Sequence, residues 1–165
     1  MILGIDPGTT GMGYALLDAA TDPATILESG IVRAAPEASD AERLVAIATH
    51  LDALIVQFTP VCVALERLFF NKNAKTAMRV AEARGVALLC AARAHVAVAE
   101  YTPQEVKLSV TGTGGADKKQ VQRMLTIVLA LAKPITEDNI ADAVAIALAH
   151  AQRERFGAAV ALASS

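Results

Sequence analysis

Val61-Cys62-Val63-Ala64-Leu65 is an unbroken apolar run of strand length. A strand that is apolar at every position offers no face to water, so it must lie inside a sheet covered on both sides. This one run predicts an α/β fold with helices on each face. It also ends in Glu66. A carboxylate closing a buried strand loses hydration and needs a partner for its charge.

The surrounding pattern supplies the rest of such a sheet. Met1 to Ile5 is a short apolar segment that runs into Asp6-Pro7-Gly8 and further glycines at Gly11 and Gly13, a strand entering a glycine-rich turn. Tyr14 to Leu17 and Ile26 to Val32 read as the next strands, and their short connections make an antiparallel meander. Ser39 and Glu42 have capping-box spacing, and Leu44, Ile47, Ala48, Leu51, Leu54 and Ile55 follow at helical period. A long helix to about Arg93 follows the Glu66 strand, with Gly85 inside it suggesting close helix packing. Val96 to Tyr101 is a fifth strand, and Thr102-Pro103-Gln104-Glu105 opens a short helix. After the flexible-looking residues 111–116, Asp117 and Gln120 start a helix, and a last one begins near Thr136. The expectation is one domain over residues 1–155, a five-stranded mixed sheet flanked by helices, with a disordered tail over residues 156–165.

The hydrophobic fraction of 54% is high, but much of it is alanine, and no run approaches the roughly 20 apolar residues that span a bilayer. The N-terminus lacks a basic-then-apolar leader pattern. Cys62 and Cys90 sit in apolar runs, as small buried hydrophobes do. These features point to a reduced, cytoplasmic protein. The net charge of −2 hides a strong segregation: residues 1–66 hold two basic residues against nine acids, whereas residues 67–133 hold eleven against four. A cluster of that kind suits a polyanion such as a phosphate backbone.

Asp6 closes the first strand at a turn where backbone can approach a ligand, although Asp-Pro-Gly is also ordinary turn chemistry. Asp142 interrupts Ile140-Ala141-Asp142-Ala143-Val144-Ala145, a helix so rich in small residues that it must pack closely. A carboxylate there requires a metal or a cation beside it. Asp138 and Asn139 lie four and three residues earlier and can share its face; Asp138 also suits a helix first turn, where it opposes the dipole. Acids from two strands and a late helix can converge on hard divalent ions, which prefer oxygen ligands.

Gly4-Ile5-Asp6-Pro7-Gly8, Glu66 with Phe69 and Asn73, Ala83 to Ala87, Val106-Lys107, Lys118 with Gln120-Val121, and Asp142 to Ala147 together resemble the RuvC family of Holliday-junction resolvases. The order of elements is similar to the ribonuclease-H-like fold. The resemblance implies a homodimeric endonuclease that makes paired nicks in a four-way DNA junction, uses Mg2+ or Mn2+, and works with the RuvA–RuvB branch-migration complex. It implies that Asp6, Glu66 and Asp142 are metal ligands, that Lys107 and Lys118 stand near the scissile phosphate, and that Phe69 stacks on bases at the junction centre. Lys72, Lys75, Arg79, Lys119 and Arg123 are less specific and suit the backbone path of the DNA.

One position departs from the family. Three residues before the last aspartate the family usually carries another acid, and here that residue is Asn139. Either Asn139 is a weaker, neutral ligand that favours Mn2+, or Asp138 replaces it from one position earlier. Two other readings are a junction-binding protein with decayed catalysis, and an actin-like or sugar-kinase phosphate fold. The latter needs a second lobe, for which the chain is short, and Gly112 to Lys119 lacks a P-loop ending. His50, His95 and His150 share no spacing and read as packing or surface residues.

Overall fold

The computed structural model describes residues 1–8, 11–67 and 74–163. Five strands, β1 (Ile2–Asp6), β2 (Met12–Asp18), β3 (Thr25–Val32), β4 (Cys62–Glu66) and β5 (Ala97–Tyr101), form one sheet in the order β3-β2-β1-β4-β5. The first three are antiparallel neighbours, and β1, β4 and β5 run parallel. The parallel steps need crossovers, which are α1 (Asp40–Phe58) and α2 (Ala74–Arg93). Three more helices follow: α3 (Pro103–Thr111), α4 (Lys118–Val128) and α5 (Asp138–Ala163).

The apolar pattern divides the strands between two cores. Leu3, Ile5, Met12, Tyr14, Leu16, Val63 and Leu65 pack under α1 and α2 with Ile47, Leu51, Ala83 and Cys90. Ile2, Ala15, Leu17, Ala64 and Tyr101 face the opposite way, against α3, α4 and α5. Alternation along each strand therefore assigns Gly4 and Asp6 of β1, and Ala64 and Glu66 of β4, to the face beneath α5. Cys62 and Cys90 are buried free thiols.

Small residues let α5 lie unusually close to that face. A Cβ on Gly4 would stand 2.2 Å from the Ala143 carbonyl oxygen and 2.8 Å from Ala147 Cβ, and one on Gly13 would stand 2.1 Å from the Asn139 carbonyl oxygen. Glycine inside a strand commonly marks such an approach.

The capping boxes expected at Ser39, Thr102 and Asp117 are all formed, each with its acid or glutamine bonding back to the cap. Two expectations are corrected. Gly85 meets no other helix of its own chain: it is exposed, and nothing in the chain lies within 4 Å of where its Cβ would be. The tail expected to be disordered from Phe156 is instead a continuation of α5 to Ala163. Alanine dominates Gly157 to Ala163, and its helix propensity prolongs a helix already nucleated by the packed first half.

Candidate metal and DNA site

Asp6 and Glu66 end adjacent parallel strands, in a register that pairs Ile5 with Leu65 one residue before them. Both side chains rise from the sheet on the α5 side, and Asp142 descends one turn into α5. All three are partly buried. Burial pushes the Asp6 carboxyl up to about 7, with the charges of Asp142 and Glu66 adding to the shift. Glu66 is raised by burial and then by Asp142, and Asp142 by burial. Asp142 thus raises the cost of ionising both strand acids and Glu66 that of Asp6, and an added cation would relieve all three.

Lys118, the first residue of α4, supplies the positive charge at present. Its Nζ lies 3.3 Å from Asp142 Oδ2 and 3.3 Å from Asp138 Oδ2. Burial alone would lower the Lys118 ammonium, but the two aspartates outweigh it and hold the group above its ordinary value. Asp138 is also engaged by Gln122, whose Nε2 donates to Oδ1 at 3.1 Å. Sequence reading missed Gln122, though its place four residues after Lys118 puts both on one face of α4.

Asn139 contacts the turn that follows Asp6. Its Nδ2 donates to the Gly11 carbonyl oxygen at 3.1 Å, and its backbone lies over Gly13, the residue paired with Asp6 across the β1–β2 ladder. Lys107 lines a cavity of about 200 Å³ with Glu66, Lys118 and Asp142, walled by Pro103, Val106, Val121 and Ile146. Lys119 and Arg123 are exposed one turn apart on α4 and make no ion pair among the described residues. Phe69 and Lys72 lie outside the described residues.

The donor set is all carboxylate oxygen, which suits Mg2+ or Mn2+ chemically. Among the described residues, however, no three acid, histidine or cysteine groups are already gathered tightly enough to hold an ion. The site is an electrostatic cluster only partly offset by Lys118 rather than a finished cage. Part of the basic segment is likewise occupied: Arg79 pairs with Asp40, Arg84 with Glu100 and Arg93 with Asp52. Two histidines serve packing: buried His150 has Nδ1 2.7 Å from the Tyr101 hydroxyl, and partly buried His50 lies tilted against the Tyr14 ring with centroids 4.6 Å apart.

Residues 2–150 match the family model for crossover junction endodeoxyribonuclease RuvC. The chain belongs to that family. The RuvC protein of Heliobacterium modesticaldum is 46% identical over 159 residues, covering 96% of this chain and 98% of its own. That of Moorella thermoacetica is 46% identical over 151 residues, covering 92% and 90%. Among solved structures, T. thermophilus RuvC in complex with a Holliday junction substrate superposes with a TM-score of 0.88 at 34% identity, covering 94% of this chain and 95% of that one. Family membership makes this chain a crossover junction endodeoxyribonuclease with the fold the residue pattern implied. No helix among the described residues is long and apolar enough to cross a membrane.

Proposed function

We propose that Asp6, Glu66 and Asp142 hold Mg2+ or Mn2+ and that the chain, as a homodimer, resolves four-way DNA junctions by paired nicks in recombination and repair. The observation that carries this reading is the set of three partly buried acids on one face of the sheet, each held above its ordinary carboxylate range. Buried acids that repel one another are a standing demand for a multivalent cation.

Bound divalent ions there would activate water and stabilise the leaving oxygen of a phosphodiester. The protein's own residues prepare that chemistry. The three acids supply negative charge from two strands and a helix. Lys118 and Lys107, beside them, offer ammonium groups to an incoming phosphate, and the apolar wall of Pro103, Val106, Val121 and Ile146 limits water around them. Lys119 and Arg123, exposed on α4 with no ion pair among the described residues, suit the DNA backbone path, as Lys72 does by its place in the sequence. Phe69, three residues after Glu66 in the sequence, suits bases at the junction centre by the same family resemblance, since aromatic stacking is tolerant of sequence. The fourth place in the metal site falls to Asn139 or Asp138. By the same family likeness, the RuvA–RuvB complex is the partner that delivers the junction.

Calorimetric titration of the protein with Mn2+, beside Asp6→Asn and Glu66→Gln, tests the reading. Saturable binding that each substitution weakens at least tenfold supports it. Binding that is absent, or unchanged by both, contradicts it.

A further inference from the structure

We infer that Asn139 is a positioning residue that acts through the glycine turn after Asp6, and that the carboxamide is needed there as a hydrogen-bond donor. This rests on the metal-site reading above and assigns the departure at Asn139 a role of its own. The bond from Nδ2 to the Gly11 carbonyl oxygen spans 128 positions of sequence. Its direction follows from chemistry: a flipped amide would set Oδ1 against the Gly11 carbonyl oxygen, two acceptors facing each other.

The packing around it explains what the bond controls. A Cβ on Gly8 would stand 3.0 Å from Asn139 Nδ2, and one on Gly13 would stand 3.0 Å from Asn139 Cβ. Asn139 is therefore enclosed by glycines on both sides of the turn. Gly13 is the ladder partner of Asp6, and Asp142 lies one turn beyond Asn139 on the same side of α5. A single side chain thus ties the segment carrying Asp6 to the helix carrying Asp142.

An aspartate at position 139 could not make this bond. Its carboxylate would face the Gly11 carbonyl oxygen with no donor between them, so the gain of a negative charge near the acids would be offset by a loosened turn. The two roles open to Asn139 consequently separate. A ligand role makes Asn139→Asp bind Mn2+ more tightly and Asn139→Ala less tightly. A positioning role makes both bind less tightly, because both lose the donor.

The test uses the full chain and two readouts. In metal-free protein, backbone amide hydrogen exchange at Gly11, Met12 and Gly13 should quicken about tenfold in both variants, the size of one lost hydrogen bond. Mn2+ affinity, read by the EPR signal of the free ion, should fall about three- to tenfold in both. Tighter Mn2+ binding by Asn139→Asp overturns the inference in favour of a ligand. Faster exchange with unchanged affinity overturns it in favour of a purely structural bond, and unchanged exchange overturns it outright. Should Asn139→Asp fail to fold by circular dichroism, exchange at Gly11, Met12 and Gly13 in the unsubstituted protein with and without saturating Mn2+ decides: protection kept on metal binding supports the positioning role, and protection lost as the amide turns to the ion overturns it in favour of a ligand. If the unsubstituted protein binds no Mn2+, the metal-site reading has failed, and the positioning inference, which depends on it, fails with it; the exchange arm then reports only the turn bond.

Discussion

Lys118 Nζ lies 3.3 Å from Asp142 Oδ2, so the acid that α5 contributes is already paired before any divalent ion arrives. The pair is partly exposed, with 60% and 36% of the two side chains open to solvent, and pairs of that kind contribute only about 0.2–1 kcal/mol. An ion entering the site must compete with that contact. Lys118→Met is accordingly expected to bind Mn2+ about two- to fivefold more tightly while cutting DNA about a hundredfold more slowly, because an ammonium near the phosphate is lost. Calorimetry and single-turnover cleavage check the two halves separately.

Asp6 makes the metal-free protein sensitive to pH. Its folded carboxyl is raised from 3.8 to about 7, so between those values the folded chain holds a proton that the unfolded chain releases. Stability contributed by that proton is present at the low end of the window and is lost as pH rises through it. Glu66 and Asp142 are raised as well and act with the same sign. In chelator, the melting temperature should fall by about 5–10 °C from about pH 5 to about pH 8. Asp6→Asn should flatten most of that slope in scanning calorimetry, and saturating Mn2+ should reverse it.

Two glycines should respond in opposite directions to the same substitution. Gly4→Ala drives a methyl into the Ala143 carbonyl oxygen at 2.2 Å, forcing α5 off the sheet at a cost of about 1–3 kcal/mol or more. Gly85→Ala meets nothing within 4 Å and removes a flexible residue from a helix interior, a gain of about 0.5–1 kcal/mol. Chemical denaturation of the two variants reads both signs. Because Gly4 seats the helix that carries Asp142, Gly4→Ala should also lose cleavage, whereas Gly85→Ala should keep it.

Much of this architecture is legible in the residues because it follows from short-range rules. The apolar run ending at Glu66 implied a strand covered on both faces, and the alternation of Ile2, Gly4 and Asp6 against Leu3 and Ile5 decides which core Asp6 faces. Capping boxes at Ser39, Thr102 and Asp117 marked three helix starts because their bonds close within four residues. What stayed hidden depends on contacts between distant segments. Gly85 and Gly4 are both glycines inside regular elements, yet only Gly4 meets a neighbour. No local pattern shows that the Asn139 amide turns toward Gly11, or that Lys118 divides itself between Asp138 and Asp142. The helical end of α5 is hidden locally because a terminal run of small residues carries no apolar periodicity, whereas alanine favours continuing a helix already begun.

The central claim is that the three acids form a metal-dependent centre for cutting crossed DNA strands. The most direct measurement incubates a synthetic four-way junction and a linear duplex of the same sequence with the protein in Mg2+, in Mn2+ and in chelator, beside Asp6→Asn. The account predicts paired nicks in the junction with either ion, none in the duplex, none in chelator, and at least a hundredfold loss in Asp6→Asn. Junction binding without metal-dependent nicking, or nicking that survives Asp6→Asn, would contradict it.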